Sequence, residues 1–177
     1  VVDPLVGTGV VLDTTGVGTV PAGSTIEITG TTNDVAAGTN TLTLNAGTGG
    51  TATLGGNVGD TAPLGELTID GQSTINSVAT ATGGGGSGNQ NYNGPVTVIG
   101  PVVGFFPSPV LSGTNVTFAD TLIGASGTQQ LTVNASGTMR FNGPVNSMRT
   151  FQTGGSGTTE LAGGSVTTSF TQTYNTP

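Results

Sequence analysis

Short stretches of the chain alternate strictly between apolar and polar residues, as in Ser24-Thr-Ile-Glu-Ile-Thr29, Thr41-Leu-Thr-Leu44, Asn115-Val-Thr-Phe118 and Leu131-Thr-Val133. A period of two places one row of side chains inside and a threonine-rich row outside, which predicts strands with one buried face. The apolar members are mostly β-branched, which suits a pleated surface better than a helix. Glycine-rich segments and Asn-Gly pairs, such as Asn93-Gly94 and Asn142-Gly143, separate the stretches and predict turns. The expected class is all-β.

The alternating stretches recur. Their central apolar residues fall at Ile28, Leu54, Ile75, Val98, Phe118, Phe141 and Leu161, with spacings of 26, 21, 23, 20, 23 and 20. A unit of about 22 residues is too small to bury its own apolar face, but identical units stacked on one another build a continuous core. The pattern therefore predicts a parallel β-helix, or β-solenoid, with coils of about 22 residues. A longer period lies over the short one. Thr41–Ala46 matches Gln130–Ala135, Leu54–Val58 matches Phe141–Val145, and Gln90–Asn93 matches Gln172–Asn175, at offsets between 82 and 89. This divides the chain into a first repeat copy, 1–93, and a second, 94–177, within one continuous solenoid. A unit of that length is also the size of an immunoglobulin-like domain, so two tandem β-sandwiches are the alternative architecture. The short register and the absence of tryptophan favour the solenoid.

Composition narrows the chemistry. Only 6% of the residues are charged, against about 25% in ordinary domains. Nine carboxylates face two arginines, Arg140 and Arg149, for a net charge of −7. Nucleic-acid binding draws on clustered lysine and arginine, so it is excluded as an expectation. An anionic membrane surface would repel the chain, and no apolar run reaches the roughly 18 residues of a spanning helix. The first residues lack the basic and apolar segments of a signal peptide, so an exported protein would hold them as mature or internal sequence.

Cysteine, histidine and lysine are absent. Without the first two, neither a Ser-His nor a Cys-His nucleophile can be assembled, and the usual zinc ligands are missing. Without lysine, Gly83–Gly88 is not a Walker loop. It reads instead as a flexible insertion. Carboxylates are the remaining catalytic or calcium-binding groups, densest at Asp60, Glu66 and Asp70, which read as solvated turn residues. The chain is expected to be no enzyme and to need no cofactor. The pairs Thr41/Thr43, Thr51/Thr53 and Thr80/Thr82 resemble outward threonine doublets of ice-binding solenoids, but several units lack them. Asn115-Val-Thr117 and Asn134-Ala-Ser136 fit the glycan-acceptor pattern, which recurs by chance in such a composition.

Two apolar segments stand out, Val1–Leu12 and Val96–Val110, the latter with Pro107 and Pro109 after Phe105 and Phe106. Val1, Val2, Leu5, Val102, Val103, Phe105 and Phe106 are the candidate self-association residues. The run from Gly113 through Thr138, together with Phe141–Val145, Gly163–Thr168 and Thr171–Asn175, resembles the repeats of filamentous-haemagglutinin-like bacterial surface proteins. The resemblance covers most of 112–177 and, more loosely, 24–93. It implies a β-helical shaft, export to the cell surface, and a place in adhesion, sheaths or fibres. The expected function is a non-enzymatic structural segment of an extracellular filament, with copies of itself as partners. The alternatives are an adhesin module binding surface glycans, with Tyr92 and Tyr174 as platforms, and a polysaccharide-acting β-helix enzyme. A tight coil with only Arg140 and Arg149 as tryptic sites should survive trypsin in native buffer; rapid cleavage at both would contradict it.

Overall fold

A computed structural model describes residues 9–83, 85–100 and 108–176. The described residues form strands and turns with no helix, wound as a β-solenoid of about six turns with coils of about 23 residues. Each coil has three faces. Strands that meet between coils are parallel; the one antiparallel pair among the described residues is the hairpin Thr82–Gly83 with Gly86–Ser87, which closes the glycine-rich loop.

The first face stacks Gly9–Asp13, the front of Thr41–Leu54, the front of Glu66–Ile75, then Asn89–Tyr92, Val116–Phe118, Thr138–Phe141 and Thr158–Leu161. The second runs from Ile26–Ile28 through the backs of Thr41–Leu54 and Glu66–Ile75, then Val96–Val98, Leu122–Gly124, and the starts of Val145–Gly154 and Val166–Tyr174. The third links Val78–Ala79, Val110–Gly113, Gln130–Ala135 and the ends of the last two strands. Isolated bridges carry it down through Val58 to Thr32.

Because the strands are parallel and in register, each inward residue lies directly over its counterpart one coil away. The first face stacks Leu12, Leu44, Ile69, Tyr92, Phe118, Phe141 and Leu161 in one column. The second stacks Ile26, Ala52, Ser73, Val96, Leu122, Val145 and Val166. Apart from Ser73 and the exposed Leu161, they form one core along the axis with Val58, Val78, Leu111 and Val133 of the third face. Tyr92, Phe118 and Phe141 are fully buried and stack as parallel rings, with centroids 5.0 and 5.1 Å apart. That separation follows from the strand spacing of about 4.8 Å. Phe151 closes the stack edge-on against Phe141 at 5.3 Å.

The corner between first and second faces carries a stack of glycines. A Cβ on Gly71, whose φ is +96°, would lie 2.4 Å from the Gly47 carbonyl oxygen, and one on Gly94 would lie 2.4 Å from that of Gly71. The chain therefore crosses this corner at backbone-to-backbone distance, which only glycine permits. At the corner between second and third faces Ser147 takes the left-handed conformation, φ +53°, beside a break in register with the next coil.

The observed period agrees with the sequence, but the column read from it joins two faces. Ile28, Leu54, Ile75 and Val98 belong to the second face, whereas Phe118, Phe141 and Leu161 belong to the first. The true partner of Val98 is Gly124, and that of Phe118 is Tyr92. The slip comes at the long coil, where the third face runs from Val78 to Leu111 before meeting its counterpart. Residues matched by the long period also sit on different faces: Leu44 is on the first and Val133 on the third, as are Tyr92 and Tyr174. The ladders run unbroken past Asn93, since Asn89–Tyr92 and Val96–Val98 both pair with Glu66–Ile75.

Phe118→Ala removes the middle ring of the stack and should cost about 3–5 kcal/mol. Leu161→Ala, in the last coil and 44% exposed, should cost well under half as much. Urea denaturation of both variants checks the contrast, and equal losses would contradict a column that is covered in the middle and open at that end.

Candidate functional site

Most polar side chains with defined partners hold one coil to the next. The Tyr92 hydroxyl, inside the core, donates to Gln90 Oε1 at 2.9 Å. Gln90, also fully buried, donates through Nε2 to the Ser112 carbonyl at 2.8 Å and the Val78 carbonyl at 3.3 Å. It thereby ties the first face to two successive rungs of the third. Desolvation pushes the Tyr92 phenol far above its ordinary range, so it stays a neutral donor. As a glycan platform Tyr92 is out of reach. Tyr174 repeats the motif near the surface, donating to Gln172 Oε1 at 3.1 Å, and its partial burial raises its pKa.

The acidic residues do not converge. Asp60 is an exposed turn residue. Glu66 faces outward on the first face, where its carboxylate accepts from the hydroxyls of Ser87 and Thr68. Asp70, at the corner, accepts from Asn93 Nδ2 of the next coil at 2.7 Å. Glu66 and Asp70 lie on one extended strand, roughly 13 Å apart along it. Among the described residues, no three acidic groups come close enough to hold a metal ion.

Sequence reasoning did not single out Asp34. It is buried in the turn that leads into Asn40, and its carboxylate accepts from the backbone amides of Asn40 at 2.7 Å and Thr39 at 2.9 Å. Asn40 Nδ2 donates as well, at 2.5 Å, and the Ala36 amide at 3.3 Å. Burial works against the charge, but the donors from Asn40, Ala36 and Thr39 together outweigh it and hold the pKa below the ordinary 3.8. The available signal was an aspartate in Asn33-Asp34 ahead of a Gly-Thr-Asn turn, a pattern that marks side-chain-capped turns.

The remaining candidates resolve individually. Arg140 pairs with Glu160 across the first face, N to O 2.5 Å, with both side chains about half exposed. Such pairs contribute little to stability. Arg149 lies over the Phe170 ring, 5.0 Å from its centroid. Asn115 is fully engaged, donating to Asn89 Oδ1 and accepting from the Thr138 amide. Thr80 turns inward and donates to the Gly88 carbonyl at 2.6 Å, so Thr80/Thr82 is not an outward doublet. Of the others, only the column Thr53–Thr74–Thr97 continues over three coils.

An open groove of about 430 Å³ follows the corner between third and first faces, lined by Thr82, Ser112, Thr114, Asn134, Ser136 and Ser156. No aromatic or charged side chain lines it. A smaller depression of about 270 Å³ lies at the last coil, between Leu161, Val166, Gln172 and Tyr174. The self-association candidates Val1, Val2, Leu5, Val102, Val103, Phe105 and Phe106 lie outside the described residues. Compared with protein-family models, curated proteins and solved structures, the chain matches none.

A carboxylate whose folded pKa is depressed contributes stability that is complete above its unfolded pKa and lost as pH falls through the folded value. Asp34 should therefore add an acid-dependent fall in Tm that begins near pH 4, about the unfolded aspartate value. In Asp34→Asn that fall should shrink, together with a lower Tm at neutral pH; an unchanged slope below pH 4 would contradict the role given to Asp34.

Proposed function

We propose that this chain is a non-enzymatic structural segment of an extracellular bacterial surface fibre, a shaft that holds distance. The observation that carries the reading is the largely aromatic and aliphatic core, in stacked columns that run through successive coils joined by parallel ladders. Such a core resists bending because each coil can move only by breaking contacts with both neighbours. The partners of Gln90, Asp70 and Asn115 support it too, since each spends its polar groups on the adjacent coil. The surface is mostly threonine, asparagine and glycine with few charges, and so depends little on salt. The likeness of 112–177 to filamentous-haemagglutinin-like repeats points to the same place outside a bacterial cell.

Immunogold labelling of intact source cells with antibody against this chain tests the reading. Gold along fibres or a coat outside unpermeabilised cells is the expected result. Label that appears only after permeabilisation would overturn it.

A further inference from the structure

The sequence Asn-Gly-Pro-Val occurs twice, as Asn93–Val96 after Tyr92 and as Asn142–Val145 after Phe141. Both copies turn the same corner, from the first face to the second. Their backbones are held alike. The Asn93 amide donates to the Ile69 carbonyl of the preceding coil at 2.9 Å, and the Asn142 amide donates to that of Phe118 at 2.9 Å. The Pro95 carbonyl accepts from the Ser73 amide at 2.9 Å, and the Pro144 carbonyl from the Leu122 amide at 3.0 Å. A Cβ on Gly94 or on Gly143 would lie 2.4 Å from the backbone of the preceding coil. Asn93 and Asn142 are both exposed.

The two copies differ in what lies beside them. Asn93 stands over Asp70, whose carboxylate accepts from Asn93 Nδ2 at 2.7 Å. Asn142 stands between Ala119 and Ala162 of the adjoining coils, and a methyl group accepts nothing. Asp120 lies across from Gly143, but its carboxylate is turned to the amide and hydroxyl of Thr121, at 2.6 and 3.1 Å.

An asparagine followed by glycine holds an electrophile and a nucleophile side by side, and with no Cβ on the glycine its nitrogen can reach the asparagine Cγ. We propose that Asn142-Gly143 is a site of spontaneous covalent modification, deamidation through a cyclic imide, and that Asp70 protects Asn93-Gly94 from the same reaction. The Gly143 nitrogen gives up its proton and bonds to Asn142 Cγ. The Cγ–Nδ2 bond breaks, and ammonia leaves with that proton. Water then opens the imide at one carbonyl or the other, leaving aspartate or isoaspartate. The balance is asparagine and water to acid and ammonia, so water is the only co-reactant. At Asn93 the Asp70 carboxylate opposes this twice: its hydrogen bond holds Nδ2, and its charge disfavours loss of the Gly94 proton. The product would also set two carboxylates side by side on adjacent coils. At Asn142 the new carboxylate would stand between two alanines, in water. Isoaspartate adds a methylene to the backbone of a corner that is matched to the coils on either side, and so loosens the stack there.

The test keeps the purified chain folded in mildly alkaline buffer and follows each asparagine by peptide mass spectrometry after unfolding and digestion. Asn142 should convert about fivefold faster than Asn93, the factor given by one hydrogen bond of ~1 kcal/mol. In urea the two rates should become equal, because the local sequences match. Asp70→Ala should raise Asn93 to the rate of Asn142 while Asn142 keeps its own folded rate, which also reports that the variant is folded. The converse variant, Ala119→Asp, should slow Asn142. Equal rates in the folded chain, or faster conversion at Asn93, would overturn the protection by Asp70. An Asn142 that stays an amide in the folded chain while it converts in urea would overturn the site itself.

Discussion

Everything in this molecule depends on the parallel hydrogen-bond ladder between coils. A ladder in register allows no independent choice of neighbour: whatever side chain turns inward meets the one at the same station a coil above and below. Carbonyl and amide groups repeat at about 4.8 Å, and the side chains must accept that spacing. Aromatic rings accept it by stacking, as Tyr92, Phe118 and Phe141 do at 5.0 and 5.1 Å. Asparagine and aspartate accept it by bonding to their counterparts, as Asn93 does to Asp70 and Asn115 to Asn89. Glycine accepts it at the corners, where Gly47, Gly71 and Gly94 leave no room for a Cβ.

The same constraint separates structural polar groups from chemical ones. A catalytic carboxylate or a ligand-binding amide keeps a free face toward its substrate. Here Gln90, Tyr92, Asp34 and Asn115 have turned their faces to the protein. The hydroxyls left open line a groove without charge or aromatic surface, and Arg140 and Arg149 are occupied by Glu160 and Phe170. The proposed shaft would need a repeating unit that stacks and a surface that stays soluble with little charge.

The period-two alternation and its recurrence every twenty-odd residues made the solenoid legible, because each coil must present the same inward stations to its neighbours. What the alternation could not carry was the face. All three faces alternate in the same way, so Val98 and Phe118 looked like successive members of one column when the third face, with Val110–Gly113, lay between them. The matches between distant segments had the same weakness, equating Tyr92 and Tyr174 although one lies in the first face and the other in the third. Asp34 was invisible for a different reason. Its burial comes from a turn closing over it, and the Asn33-Asp34 and Gly-Thr-Asn signal nearby marks a capped turn without showing that the turn is buried.

Amide hydrogen exchange followed by mass spectrometry tests the stacked-coil account most directly. Each interior strand is held by ladders on both sides, so protection should be high in the strands from Thr41–Leu54 to Val145–Gly154, Asn89–Tyr92 and Val96–Val98 included, and should fall toward Val166–Tyr174, which is paired on one side. Two separately protected blocks divided by a fast-exchanging linker near Asn93 would contradict it, since that is the pattern of two tandem sandwiches.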